Sequence, residues 1–86
     1  MVQEQIGYLN LDVFYSNKDI TSLRWITEIK NELKKYYPLV NCHFHELNSE
    51  YAKERNISTE LILLNNKKIL YQHLKSKIKH FHKNLL

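Results

Sequence analysis

The side chains best able to do chemistry sit in the run Val40-Asn41-Cys42-His43-Phe44-His45-Glu46. On a strand His43 and His45 share one face, and Cys42 and Glu46 share the other. Two imidazoles do not complete the ligand shell of a tetrahedral metal. No metal site is therefore expected, and both histidines read as partly exposed side chains of an edge strand. Cys42 is the sole cysteine, which excludes an internal disulfide, a CxxC redox pair and a Cys-rich zinc site. Among apolar strand neighbours its thiol keeps its proton and packs rather than attacks. His73 and His80 are seven apart and share one side of a helix from which His82 turns away, the pattern of polar-face residues. The single glycine, Gly7, leaves no glycine-rich phosphate loop. No Ser-His-Asp order and no carboxylate pair fixes a general acid and base. The expectation is no catalytic residue, no metal and no cofactor.

The other chemistry is charge. Residues 1–60 hold seven basic side chains and all nine acidic ones, whereas residues 61–86 hold six lysines and no acid. Lys75, Lys79 and Lys83 are spaced four apart and form one ridge on a helix. Lys67 and Lys68 precede that helix and extend the positive region. Such asymmetry fits either a solubilising face or a face for an anionic partner such as nucleic acid.

These side chains must be positioned by few elements. The chain has 86 residues, 43% hydrophobic and 26% charged, enough for a single core and too apolar for disorder. No apolar run approaches the roughly 18 residues that cross a membrane, so no membrane partner is expected. The polar first residues lack a signal-peptide core. With one cysteine, the expected location is the cytoplasm or another reducing compartment.

Residues 8–16 are dense in aromatic and β-branched types and predict a strand. Asp19, Thr21 or Ser22 caps a helix over 20–37, where Leu23, Ile26, Ile29, Leu33, Tyr36 and Tyr37 recur at helical spacing. Pro38 ends it. A second strand follows over 40–47, then a short helix over 49–55 capped by Asn48 or Ser49, then a strand over 60–64. Asn65 to Lys68 predicts a turn, because asparagine tolerates positive φ, with a returning strand over 69–71. From Gln72 onward Leu74, Ile78, Phe81 and Leu85 form the apolar stripe of a last helix. The order is β-α-β-α-β-β-α. It predicts an α/β fold with a four-stranded mixed sheet in the order 2-1-3-4, the first two strands parallel. The two long helices should share one face of the sheet, and the short one should cover the other.

This succession resembles a minimal thioredoxin-like or glutaredoxin-like domain across nearly the whole chain. Leu11-Asp12-Val13-Phe14-Tyr15-Ser16 looks like that superfamily's first core strand. Asn56-Ile57 and Leu61 to Lys68 look like its third strand and hairpin. Ser22-Leu23-Arg24 and Lys30-Asn31-Glu32-Leu33 look faintly like the first helix of the KaiB clock-protein group, which also lacks thiol chemistry. The departures are informative. Asp19 and Ser22 stand where redox members carry their cysteine pair, and Ser58-Thr59-Glu60 stands where they carry a cis-proline. The resemblance implies a domain without redox chemistry that binds another protein at the former active-site edge: Asn17, Lys18, Asp19, Ser22, Ser58, Thr59 and Glu60. Trp25, at the margin of the helix's apolar arc, joins this set as an aromatic that a partner would cover. The alternative is a nucleic-acid-binding subunit that uses Lys67, Lys68, Lys75, Lys79 and Lys83. A divergent thiol enzyme acting through Cys42 is the third reading.

Overall fold

Strand β1, Leu9–Tyr15, lies at the centre of the molecule because its apolar side chains go to both faces: Leu11, Val13 and Phe14 have no exposed surface. A computed structural model describes residues 9–36 and 40–85. Tyr8, and the residues 37–39 that contain the expected Pro38 stop, lie outside the described residues.

Helix α1 spans Ile20–Leu33, and a 3-10 turn over Lys34–Tyr36 follows it. Asp19 is its N-cap, with Oδ1 accepting the Thr21 N–H at 2.9 Å, which satisfies one of the four amides that every helix start leaves free. Strand β2, Val40–Glu46, pairs with β1 in parallel from Leu9↔Val40 to Tyr15↔Glu46. A short helix α2, Glu50–Glu54, is capped by the Ser49 hydroxyl. Strand β3, Leu61–Leu64, pairs antiparallel with β1, and strand β4, Lys67–Ile69, pairs antiparallel with β3. Helix α3, Tyr71–Leu85, completes the chain. The sheet order is β2-β1-β3-β4, as the pattern predicts.

Ile26, Ile29 and Leu33 of α1 and Leu74 and Ile78 of α3 enter one core with Leu11, Val13, Val40, Ile62 and Leu64. The two long helices thus share a face, where about 25 cal/mol per Å² of buried apolar surface drives their packing. Phe14 points to the other face and stacks on Tyr51 of α2 at 5.9 Å.

Three expectations need correction. The turn between β3 and β4 is not Asn65 to Lys68. Asn65 and Asn66 both adopt positive φ, 50° and 70°, and close a two-residue hairpin in which Leu64 faces Lys67. Asn65 also exchanges two hydrogen bonds with the Asn10 backbone, its N–H donating at 2.8 Å and its Oδ1 accepting at 3.0 Å. The returning strand therefore starts at Lys67, and Tyr71 falls in the helix. Leu23 is 41% exposed despite its helical spacing. The buried arc of α1 runs through Ser22, Ile26, Ile29 and Leu33, so Ser22 takes an interior place.

Candidate docking site

Parallel β1 and β2 end together at Tyr15 and Glu46, and Phe14 faces Leu61 at the entry to β3. The loop after β1 and the segment before β3 therefore meet at one end of the sheet, where open α/β folds commonly place their ligands.

The loop at this end is held by its own bonds. The Ser16 N–H donates to Ser22 Oγ at 2.9 Å, and the Lys18 N–H donates to Ser16 Oγ at 3.3 Å. Asn17 Nδ2 donates to Glu46 Oε1 at 3.0 Å, tying the loop to the end of β2. Asn17, Lys18 and Asp19 are exposed, and Asp19 spends its carboxylate on the helix cap. Ser22 is only 3% exposed. It is corrected from a presented side chain to an internal fastener of the loop.

Ser58, Thr59 and Glu60 are exposed. Glu60 and Trp25 line a groove of about 280 Å³ together with Leu61, Lys68 and Leu70. The sequence reading singled out Trp25 and Glu60 but missed Leu70. Leu70 is 62% exposed and stands immediately before the first residue of α3, with its carbonyl accepting the first helical N–H, from Leu74, at 2.9 Å. It is the N-cap of α3, a position that favours Asp, Asn, Ser or Thr and disfavours leucine. The signal was the apolar Leu70 placed ahead of a polar helix start.

The lysines divide into two groups. Lys67 and Lys68 meet His73 and Lys77 around a second groove, of about 490 Å³, with no acid in its lining. Lys75 instead lies over the Tyr71 ring, 5.1 Å from its centroid. Burial pushes the Tyr71 phenol up, and the Glu28 and Glu32 carboxylates of α1 add to the shift. Lys75, Lys79 and Lys83 are all exposed, and the groove joins Lys67 and Lys68 to Lys77 rather than to that ridge.

His43 and His45 do share a face, with ring centroids 6.4 Å apart. His45 is occupied structurally. Its Nε2 is 2.9 Å from Asp12 Oδ1, and its ring stacks on Tyr51 at 4.1 Å and Phe14 at 4.9 Å. Asp12 as its partner was not legible without the strand register. Among the described residues no group of three or more His, Cys, Asp or Glu side chains could hold a metal ion. Burial pushes the Cys42 thiol from 9.0 up to about 12, with Asp12 adding to the shift and Lys30 opposing it. Such a thiol is protonated at neutral pH and is a poor nucleophile.

The chain matches no family model, no curated protein and no solved structure. Among the described residues no helix is long and apolar enough to cross a membrane.

Proposed function

We propose that this protein is a non-catalytic, thioredoxin-like domain that binds another protein through the groove between Trp25 and Leu70. One observation carries the reading: a leucine that is 62% exposed occupies the N-cap of α3. Aspartate there would stabilise the helix by about 1 kcal/mol. A surface side chain that forgoes this stability and presents an aliphatic group beside the chain's single tryptophan is what a protein interface uses. The sheet order agrees with the thioredoxin-like resemblance. The groove is mostly apolar, with Glu60 and Lys68 of opposite charge at its rim, which suits a protein more than a phosphate backbone.

Three side chains support the non-catalytic part of this reading. Asp19 is engaged as a cap, Ser22 is buried and hydrogen-bonded, and Cys42 is protonated within β2.

Nucleic-acid binding is a second reading, favoured by the gathering of Lys67, Lys68, His73 and Lys77 around a groove whose lining contains no acid. Affinity capture after nuclease treatment separates the two. The protein reading expects a stoichiometric partner that survives nuclease, is lost with Leu70→Asp and is retained by Lys67→Glu/Lys77→Glu. Capture that disappears with nuclease and with the lysine variant, but not with Leu70→Asp, assigns the function to the second groove.

A further inference from the structure

The two edges of the sheet are protected very differently. β4 is three residues long and carries Lys67 and Lys68, and a short, charged edge resists pairing with another strand. β2, at the other edge, is seven residues long and contains no lysine, arginine or proline. Its register with β1 is continuous from Val40 to Glu46, so no bulge interrupts it. Among the described residues β1 is its one strand neighbour.

The backbone direction along β2 follows from one bond. The Leu47 N–H donates to the Tyr15 carbonyl at 2.8 Å. Successive residues of a strand direct their amides to opposite sides, so the N–H and C=O groups of Cys42 and Phe44 point away from β1. Beside that outer edge runs a groove of about 600 Å³, floored by Leu33, Val40, Cys42 and Phe44 and rimmed by Lys30 and Lys34. Lys30 Nζ stands 5.0 Å from the Phe44 ring centroid. No acid lines the groove. Glu32, between the two lysines in sequence, pairs with Lys35 at 3.5 Å.

We infer that the outer edge of β2 is a docking strand for an extended, acidic segment of a partner protein. The segment adds to the sheet by bonding to the backbone of Cys42 and Phe44. It lays an apolar side chain into the groove beneath α1 and sets its carboxylates against Lys30 and Lys34. Main-chain pairing gives such a contact its affinity, and the groove and its charged rim give it selectivity. A second copy of this chain is disfavoured as the occupant, because the net charge is +4 and the lysine rims would meet. This edge is at the opposite side of the sheet from β4 and the Trp25–Leu70 groove, so the inference stands apart from the function proposed above.

The test is an NMR titration of the whole isotopically labelled chain with a capped hexapeptide, Glu-Val-Thr-Val-Thr-Glu. The expected result is saturable shifts along β2 and in the groove, with slowed hydrogen exchange at the amides of Cys42 and Phe44. A peptide with proline for the central residues loses the effect. Replacing both glutamates by lysine weakens it, and Lys30→Glu/Lys34→Glu reverses that preference, each by roughly tenfold. Leu70→Asp leaves the titration unchanged. The inference is overturned by no shift at millimolar peptide, by shifts without protection at Cys42 and Phe44, or by equal response to the acidic and basic peptides. It is also overturned if these amides are protected by concentration-dependent self-association in the absence of peptide, because the occupant is then a second copy.

Discussion

Replacing Leu70 by aspartate should move stability and binding in opposite directions. The side chain is 62% exposed, so roughly a third of its surface is covered. Full burial of a leucine stabilises by about 1.5–3 kcal/mol, which puts the loss here at about 0.5–1 kcal/mol. Aspartate at an N-cap contributes about 1 kcal/mol by accepting from the first-turn amides, and its charge interacts favourably with the helix dipole. The net change is between zero and a gain of about 0.5 kcal/mol. For a domain of this size that is an unchanged melting temperature or a rise of about 2–4 °C. Partner binding should behave in the opposite way. A carboxylate forced into an apolar contact costs 2 kcal/mol or more, about a 30-fold loss of affinity. Thermal unfolding by circular dichroism and affinity capture of the same preparation read the two effects. A fall of several degrees in melting temperature would show that Leu70 packs the fold, and undiminished capture would show that it is not part of an interface; either result refutes the reasoning.

Five further outcomes follow from the same structure. Ser22→Ala removes the acceptor of the Ser16 N–H and should cost about 1 kcal/mol, seen as a melting temperature lower by about 4–8 °C. Cys42 should react with a disulfide reagent at pH 8 at least about a hundredfold more slowly in the folded than in the unfolded chain, because its thiol is pushed up to about 12. The folded thiol holds its proton above the pH at which the unfolded one releases it, so stability should fall as pH rises from 9 towards 12. Denaturant titrations of Cys42→Ala should show a flatter decline over that window. Asn66→Gly should keep or slightly raise stability and Asn66→Ala should lower it by about 1 kcal/mol, since φ is 70° there. If the hairpin groove binds oligonucleotides, Lys67→Glu/Lys77→Glu should reduce the slope of log affinity against log salt by about two, and Lys75→Glu should change it less.

Much of the architecture was legible because it rests on local periodicity. The 4-3 spacing of Leu74, Ile78 and Phe81, the cap at Asp19 and the strand of Leu11 to Tyr15 each report burial through patterns that neighbouring residues carry. The element order then leaves few sheet topologies. What could not be read depends on three-dimensional register. The pairing of Asp12 with His45 is a diagonal contact between β1 and β2, and sequence spacing contains no information about it. The same holds for the meeting of Lys77 with Lys67 and Lys68, which requires the rotation of α3 against the hairpin. Ser22 illustrates a different limit. Its hydroxyl satisfies a loop amide, so a polar residue occupies a buried helical position that hydrophobic pattern assigns to the outside. Leu70 escapes the sequence pattern because a turn extended to Lys68 is two residues too long, which places a strand where a helix cap stands.

The most direct measurement is the emission of Trp25, the chain's single tryptophan and a wall of the proposed groove. Titrating the captured partner into the purified protein should shift that emission to shorter wavelength and reduce its quenching by acrylamide. The change should saturate at the stoichiometry of the complex and be absent with Leu70→Asp. A saturated complex in which Trp25 emission and quenching match those of the free protein would contradict the assignment of this groove as the docking site.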